Sequence, residues 1–356
     1  MGRFHVVWID AGARRRLTRL ALAAPVLVLV AWWFCARMPG RMWRGPLPPL
    51  TPAQVALRDG LRRDLTRLAG DIGPRNLTSA PDGLARARDW LEGELRANGY
   101  TPLRQTYEVR EPGVPAGRGD HAANVIAILA GTTRAGEIVV VGAHYDSVAV
   151  DSVCPAANDN GSGVAATLAL ARALARQPQP RTVRFVFFAN EEPPYCQTEN
   201  MGSLVYARAC RAARDWVVAM LSLETIGYYT DAPGSQRYPA PGLDWIYPRT
   251  GNFLAFVGSV GHRRGVLDAI AAFRRHARFP SVGLVSSAWV PGIAWSDHWS
   301  FWAVGYPGLM ITDTAPFRCP FYHNRSGEDT LDKIDFDRLA RVTDGLTGAV
   351  RELAGG

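Results

Sequence analysis

The chain has 356 residues, of which 47% are hydrophobic and 20% are charged, a balance typical of a globular protein with one large α/β domain or two smaller ones. Its net charge of +8 is concentrated at the N-terminus, where residues 1–44 contain eight arginines and the single acid Asp10. The remaining 312 residues sum to about +1, which excludes a basic surface for a nucleic-acid partner.

The N-terminal segment has the composition of a membrane helix. Residues 20–36 are 17 uncharged, mostly apolar residues that follow three consecutive arginines and end near Trp32 and Trp33. A helix that rises about 1.5 Å per residue needs roughly 20 residues to cross the hydrocarbon core of a membrane. The segment is therefore just long enough if its flanking arginines reach the headgroups, and the tryptophans suit the far interface.

These features predict the organisation of the chain. We expect a basic cytoplasmic N-terminus over 1–19, a transmembrane signal-anchor over 20–36, a Pro- and Gly-rich linker over 37–52 and one large domain over 53–356. Five arginines precede the apolar segment and three follow it, which favours a large domain outside the cytoplasm, either periplasmic or extracellular. A cleaved signal peptide is the alternative, although no small-x-small cleavage site follows Ala36.

Beyond the linker, helical and strand-like patterns alternate. The predicted helices cover 52–70, 83–97, 161–176, 202–213, 262–276 and 335–353, and the predicted strands cover 122–129, 137–142, 182–188, 217–223, 253–257 and 308–312. Fully apolar runs such as 138–141 are typical of buried strands in a parallel sheet. We therefore predict an α/β fold with a twisted, mostly parallel central sheet flanked by helices.

Acids and histidines follow the predicted strands, where ligands bind in open α/β sheets. The clusters contain His144 with Asp146, Asp159 with Asn160, Glu191 with Glu192, Glu224, and finally His323. In an extended chain His144 and Asp146 share a face, so the carboxylate can accept the second N–H of a metal-bound imidazole. Each cluster by itself also has a purely structural interpretation, namely a surface pair, or a helix N-cap in the case of Asp159.

Together the clusters indicate a metal site. Two adjacent glutamates at the end of an apolar strand are costly unless a cation or a proton compensates them. Two histidines and three carboxylates without a thiolate suit a pair of divalent cations, zinc above all. Such a pair binds and activates one water and polarises a carbonyl group.

The blocks that carry these residues resemble the zinc-dependent aminopeptidases of metallopeptidase family twenty-eight. The similarity runs from LAGDIGPRN, which begins at Leu68, to Asp332 and so covers nearly all of the predicted large domain. Its blocks are NVIA at 124–127, VGAHYDS at 141–147, ANDNGSGVAA at 157–166, TVRFVFFANEEPP at 182–194, SLETIGYY at 222–229, SDHWSFW at 296–302 and ITDTAPFRCPFYH at 311–323. The family's fold is a mostly parallel twisted sheet between helices, the zinc-exopeptidase type.

The resemblance implies a role for each residue. The metal ligands for two Zn²⁺ ions would be His144, Asp159, Glu192, Glu224 and His323, with Asp159 bridging the two ions. Glu191 matches the general base, and Tyr322 resembles a phenol that hydrogen-bonds the oxyanion. Asp146, Asp297 and Asn160 would support the ligands from behind, and Asp159-Asn160 resembles a strained junction that is often cis.

The sequence departs from the family pattern at two positions. Many relatives have Asp where this chain has Glu224, and Cys319 stands where an asparagine is usual. The glutamate side chain at position 224 is one methylene longer than aspartate and can still reach a metal. Cys154 and Cys196 lie on the two loops that carry predicted ligands, and we predict a disulfide between them, which is permitted outside the cytoplasm.

The predicted function is hydrolysis of the N-terminal residue from peptides that have a free N-terminus. The alternatives are a glutaminyl cyclase-like single-zinc aminoacyltransferase, a carboxypeptidase or dipeptidase of the same superfamily, and a receptor-like ectodomain without activity. The presence of His144 together with Glu224 favours two metals over the cyclase, and the complete set of ligands disfavours an inactive ectodomain. The N-terminal side chain that is preferred depends on the variable segments 230–252 and 281–295. Sequence patterns do not predict the shape of these segments.

Overall fold

The structure is a computed structural model that describes residues 10–109, 120–149, 154–323 and 327–355. The chain divides into two units, Met1–Arg37 and Met38–Gly356. The helices are α1 to α8 in chain order, namely Ala11–Cys35, Pro52–Leu65, Pro81–Ala97, Gly163–Leu174, Gly202–Ala212, Arg263–His276, His298–Ala303 and Phe336–Leu353. The strands are β1 to β8, namely Leu103–Glu108, His121–Leu129, Gly131–His144, Gln179–Phe188, Trp216–Glu224, Leu254–Ser259, Ser281–Ser286 and Leu309–Thr312.

The first unit is the helix α1. Its N-terminus is capped by the Asp10 carboxylate, which accepts a hydrogen bond from the Ala13 N–H at 2.6 Å. The span Gly12–Cys35 has a mean hydropathy of 1.8 and is long and apolar enough to cross a membrane. A signal sequence near an N-terminus meets the same criterion of length and composition.

The second unit is built on an eight-stranded sheet in the order β1-β2-β4-β3-β5-β8-β6-β7. β3 pairs in parallel with β4 and β5, and β5 pairs in parallel with β8, so the centre of the sheet is parallel. The pairings β1–β2, β2–β4 and β6–β8 are antiparallel. The sheet is thus mixed, with the parallel centre that the apolar runs predict.

Helices cover both faces of the sheet and bury its apolar side chains. α4 is buried along nearly its whole length, because the sequence GVAATLALARAL offers apolar atoms on every side. The central segment Ile138–Val141 of β3 is also fully buried, which explains why this strand shows no polar alternation. These features confirm the predicted α/β fold.

Hydrophobic periodicity in the sequence does not predict three of the elements, β1, β7 and α7. β1 is an edge strand with the polar sequence LRQTYE, and β7, SVGLVS, contains a glycine and two serines that weaken its strand signal. Tertiary packing forms both strands, since β7 pairs with β6 along its full length and Gly283 lies against the side chain of Met38. The short α7 has too few residues to show a helical period.

Residues 38–51 contain no helix or strand, belong to the second unit and are hydrogen-bonded to its helices α6 and α8. The Arg274 guanidinium donates to the Pro39 carbonyl at 2.8 Å, and Arg341 donates to the carbonyl of Pro48. Thr51 then begins α2 through a reciprocal capping box with Gln54. These contacts make residues 38–51 part of the second unit, which begins at Met38.

The topology places the polar clusters at one edge of the sheet. His144 is paired with Phe188 and Gly142 with Ser222, so β3, β4 and β5 end side by side. Because these strands are parallel, the residues that follow them meet at the carboxyl edge. This edge carries His144, Glu191 with Glu192, and Glu224.

Candidate metal centre

One potential metal site is formed by His144, Asp159 and Glu224, all of them buried. The His144 Nε2 atom lies 3.4 Å from Asp159 Oδ1 and 3.4 Å from Glu224 Oε2. One donor atom from each residue falls within 4.8 Å of the other two. A single cation can therefore contact all three side chains.

A second site is formed by Asp159, Glu192 and His323. The His323 Nε2 atom lies 2.9 Å from Asp159 Oδ2 and 3.0 Å from Glu192 Oε2. Asp159 belongs to both sites and presents Oδ1 to one and Oδ2 to the other. The carboxylate is therefore placed to bridge two cations.

The donor atoms fit zinc. Among the described residues Glu192 Oε1 is buried without a hydrogen bond, and Asp159 Oδ2 and His323 Nε2 are buried 2.9 Å apart without the alignment of a hydrogen bond, as expected of atoms that face a metal. Burial raises the pKa of Glu192 to about 7, and the charge of Asp159 adds to the shift. A cation would remove this repulsion, and nitrogen with oxygen donors and no thiolate is a common zinc environment.

Asp146 supports the site in two ways. Its Oδ1 atom lies 3.4 Å from His144 Nδ1, on the side of the ring opposite the metal donors. The same carboxylate accepts the backbone N–H of Glu191 at 3.2 Å and that of Glu192 at 3.1 Å. Asp146 therefore lies against the candidate ligand His144 and also holds the backbone of the glutamate pair.

Asn160 ties together the loops that carry Asp159 and Glu224. Its Oδ1 atom accepts the backbone N–H of Thr225 at 3.1 Å, and its Nδ2 atom donates to the Leu223 carbonyl at 2.8 Å. The Asp159–Asn160 peptide bond is cis, as the resemblance implies. Glu224 also accepts a hydrogen bond from Ser296 Oγ at 2.7 Å, which fixes its longer arm.

Glu191 lies beside the first site, with Oε2 at 3.7 Å from His144 Nε2. Burial raises the pKa of Glu191 well above its usual value, an effect that His144 opposes and Glu224 reinforces. A carboxylate with a raised pKa is a better proton acceptor in its ionised form and a better proton carrier near neutrality. Its position and pKa suit the role of general base.

Tyr322 borders the second site. Its ring is stacked on the imidazole of His323, with 4.0 Å between the centroids and 8° between the planes. Burial raises the pKa of Tyr322 well above its usual value, so the phenol stays protonated and can donate a hydrogen bond. The structure thus places the predicted oxyanion donor next to a predicted ligand.

Asp297 and His298 lie behind the metal site. Burial raises the pKa of Asp297 to about 8, with His144 opposing the shift and Glu224 adding to it, which places the carboxyl near both ligands. His298 has its Nε2 atom 2.8 Å from the Ile293 carbonyl and is absent from both donor sets. His298 is therefore a buried histidine with a structural hydrogen bond.

The predicted disulfide between Cys154 and Cys196 is wrong, since both thiols are free. Cys154 is buried in a small apolar cluster with Val148 and Ala156. Cys196 instead directs its sulfur toward Glu191, with Sγ and Oε1 at 3.9 Å. The two side chains thus have separate partners, although their loops both carry metal donors.

Two supporting residues were not predicted as site residues, although Arg75 lies in the block LAGDIGPRN. The Arg75 guanidinium is fully buried and donates to the backbone carbonyls of Gly73, Tyr145, Pro155 and Ala156. The Asp329 carboxylate accepts the backbone N–H groups of Asn158 at 2.7 Å and of Asp159 at 2.8 Å. Both residues hold the loop that presents the bridging carboxylate, through contacts that only the folded chain creates.

A cavity adjoins the site on the side of Glu224 and Tyr322. Its walls include residues from 236–247 and 291–295, within the segments expected to set the side-chain preference. Most lining residues are apolar, and they include Tyr238, Phe253, Met310 and Phe317. The site therefore opens into a pocket that suits an organic side chain.

Residues 124–256 match the family model for Peptidase family M28. The chain is 34% identical over 309 residues to "Uncharacterized protein YfbL" of Escherichia coli K12, an alignment that covers 85% of this chain and 90% of that protein. It is 25% identical over 309 residues to "Probable leucine aminopeptidase 1" of Trichophyton verrucosum, covering 83% of this chain and 74% of that one.

Solved structures share the fold. BSAP, a zinc aminopeptidase from Bacillus subtilis, superimposes with a TM-score of 0.63 at 16% identity and covers 83% of this chain and 94% of its own. A glutaminyl cyclase from Fimbriiglobus ruber superimposes with a TM-score of 0.60 at 21% identity, and the superposition covers 86% of this chain and 99% of the cyclase chain. The match to the family model and the long alignment with YfbL confirm the family inferred from the motifs. The chain belongs to Peptidase family M28.

Proposed function

We propose that the protein is a two-zinc exopeptidase that removes N-terminal residues from peptides. One zinc ion would be held by His144, Asp159 and Glu224, and the other by Asp159, Glu192 and His323. When bound, the ions supply an activated water and polarise the carbonyl of the scissile bond. The observation that carries the proposal is the shared carboxylate of Asp159, which faces both donor sets.

The chain's own residues would move the protons. Glu191 is placed to accept a proton from the attacking water and to pass it to the leaving amine. Tyr322 would donate a hydrogen bond to the oxyanion that develops on the carbonyl. The cavity beside Glu224 and Tyr322 would receive the side chain of the first residue of the peptide.

The proposal predicts a defined pattern of hydrolysis. We expect the full chain, purified in detergent with zinc, to cleave aminoacyl p-nitroanilides that have a free amine and to leave N-acetylated versions intact. Chelation should abolish the activity, and added zinc should restore it, because the activated water depends on the metal. Cleavage of blocked substrates at equal rates would contradict an aminopeptidase.

The same assay separates the leading alternatives. A glutaminyl cyclase would leave the anilide panel intact and convert glutaminyl-peptides to a pyroglutamyl product, a possibility that the structural neighbour from Fimbriiglobus ruber supports. That alternative accounts less well for this chain, because a single zinc would leave the donor set of His144 and Glu224 without a role. A carboxypeptidase would instead release residues from N-blocked peptides.

We further propose that α1 anchors the protein in a membrane with the second unit outside the cytoplasm. The length and hydropathy of Gly12–Cys35 support the anchor, and the arginines in the first two turns of this helix support the orientation. The two tryptophans near the end of the helix, Trp32 and Trp33, are 44% and 51% exposed and suit a membrane interface.

Protease accessibility tests the proposed topology. We expect protease added to intact cells or spheroplasts to digest the second unit while a cytoplasmic marker survives. We also expect the protein to stay in the membrane fraction after an alkaline wash, since a cleaved signal peptide would leave a soluble product. Full protection of the second unit in spheroplasts would contradict the proposed orientation.

A further inference from the structure

We infer that the edge of the sheet at β7 docks on the anionic lipid headgroups of the membrane in which α1 is anchored. The docking surface consists of the three segments that form or border β7, namely residues 38–48, 237–252 and 277–295, and is called the β7 surface. The inference rests on the proposed anchor, because it assigns a lipid partner to the second unit. It goes beyond the anchor by naming the face of this unit that meets the headgroups.

The chain enters the second unit at β7, the last strand in the order of the sheet. α1 ends at Cys35, and the second unit begins at Met38. Three residues of extended chain span at most about 11 Å, so an anchored α1 keeps Met38 close to the membrane surface. The Met38 side chain lies against Gly283 in the middle of β7, where a Cβ on the glycine would be 2.6 Å from the sulfur. The point at which the second unit is tethered therefore lies on this edge strand.

The residues after Met38 are fixed along the start of β7. The Arg274 guanidinium donates to the Pro39 carbonyl at 2.8 Å and to the carbonyl of Ser281, the first residue of β7, at 2.7 Å. The Arg278 guanidinium lies 5.7 Å from the centre of the Trp43 ring. These contacts hold residues 38–43 against the strand, so the tether restricts which face of the second unit can turn toward the membrane.

Two tryptophans project from the β7 surface. Trp245 is 89% exposed and Trp289 is 93% exposed, the two highest values among the large hydrophobic side chains of the described residues. Tyr247, two residues after Trp245, donates its hydroxyl to the Gly283 carbonyl at 2.8 Å, and Val290, which follows Trp289, packs against the same buried cluster as two side chains of β7. Both tryptophans are thus held beside the tethered strand. Tryptophan is enriched at membrane–water interfaces, where its amphipathic ring suits the headgroup level.

The β7 surface also holds the excess positive charge of the second unit. Its segments contain one acid, Asp244, and five arginines, namely Arg41, Arg44, Arg237, Arg249 and Arg278. These segments sum to +4 and the whole second unit sums to +3, so the remainder of the unit is −1. An anionic leaflet attracts arginines that lie within about a Debye length of it, roughly 8 Å at physiological ionic strength. The charge therefore selects an anionic lipid surface, to which the tryptophans add apolar contact.

A second copy of the chain is a less suitable occupant of this surface. A symmetric contact between two copies brings the same patch of both together, so the arginines of one copy would face those of the other. Like charges in such a contact oppose association, whereas a layer of anionic headgroups offers the opposite charge. Charge complementarity and the tether at Met38 thus favour the same partner.

Hydroxyl-radical footprinting of the full chain in lipid nanodiscs tests the inference. Trp216, the first residue of β5, is 64% exposed and lies outside the β7 surface, so it serves as the internal reference. In discs that contain phosphatidylglycerol, we expect Trp245 and Trp289 to be oxidised at least about fivefold more slowly than Trp216, because side chains that enter the headgroup boundary by about 5–10 Å lose their contact with water. Exposure in the isolated protein predicts the reverse order, since Trp216 is the least exposed of the three.

A pair of charge variants separates the β7 surface from the tether. Arg41→Gln combined with Arg44→Gln removes two exposed charges and keeps both tryptophan probes, and it should reduce their protection at least about twofold, because each arginine near an anionic surface adds to the attraction. The matched control combines Arg67→Gln with Arg208→Gln, whose side chains are each 51% exposed and lie outside the β7 surface. The control should leave the protection unchanged.

The outcomes distinguish the docking surface from the anchor. Faster oxidation of Trp245 and Trp289 than of Trp216 in chains that are bound to discs would overturn the docking and leave the anchor intact. Protection that appears only when two chains share a disc would also overturn it, in favour of contact between copies. An equal loss of protection in the two double variants would have the same meaning. A full chain that does not enter the discs would instead count against the proposed anchor, and the docking surface would fall with it.

Discussion

Glu191→Gln is expected to lower kcat by about 100- to 10,000-fold, the range over which a positioned general base accelerates proton transfer. The amide keeps the size of the side chain but cannot accept the proton of the attacking water. Glu191 lies outside both donor sets, so the variant should still bind two zinc ions per chain. Initial rates, zinc content by elemental analysis and the Tm of the zinc-loaded protein measure these three effects.

A matched control lies on the same loop. Glu199 has a side chain that is 75% exposed and is paired only with Arg208 on the surface, so Glu199→Gln should leave kcat and zinc content unchanged. A Glu191→Gln variant that retains parental kcat would remove the general-base assignment. Loss of zinc in the same variant would make Glu191 a ligand instead.

Asp159→Asn is expected to weaken both zinc sites together. Its two carboxylate oxygens face the two donor sets separately, and the amide nitrogen of asparagine cannot coordinate a cation in place of the lost oxygen. Since changes to residues behind a ligand already cost about 10- to 100-fold in metal affinity, loss of the shared ligand should cost at least about 100-fold. Zinc stoichiometry after dialysis should fall below one per chain, and hydrolysis should stop.

Variants of the unshared ligands provide the comparison. Glu224→Gln affects only the first donor set, and His323→Ala affects only the second, so each should retain about one zinc per chain. The two patterns differ because a bridging ligand contributes to both sites, whereas a terminal ligand contributes to one. Retention of two tightly bound zinc ions by Asp159→Asn would contradict the bridging role.

The donors of the candidate site follow from local sequence patterns. The candidate donors His144, Glu192 and Glu224 each come at or just after the end of a strand that is apolar enough to be recognised as buried, and so does the proposed base, Glu191. Parallel strands end at a common edge of the sheet, so the residues that follow them lie close together whatever the order of the strands. His323 follows no such strand, and its assignment depended on the resemblance of the block ITDTAPFRCPFYH to the family.

Other expectations failed where local patterns carry no information about partners. The cysteines 154 and 196 lie on adjacent ligand loops, yet one sulfur packs among apolar groups and the other faces Glu191. The strand β7 has weak intrinsic preference and forms because β6 provides a ladder of partners. Arg75 and Asp329 act on backbone groups that are 70 or more residues away in the chain.

The sequence by itself determined the fold class, the family and the set of candidate metal donors, because these depend on residue type, period and order along the chain. The tertiary structure decided how the donors divide into two sets around Asp159, which residues support them and what surrounds the substrate. Those features arise from contacts between distant segments, such as the row from Glu224 through Thr312 and Ala255 to Val282. Strand order and register bring these residues together, and neither is encoded in any one stretch of the sequence.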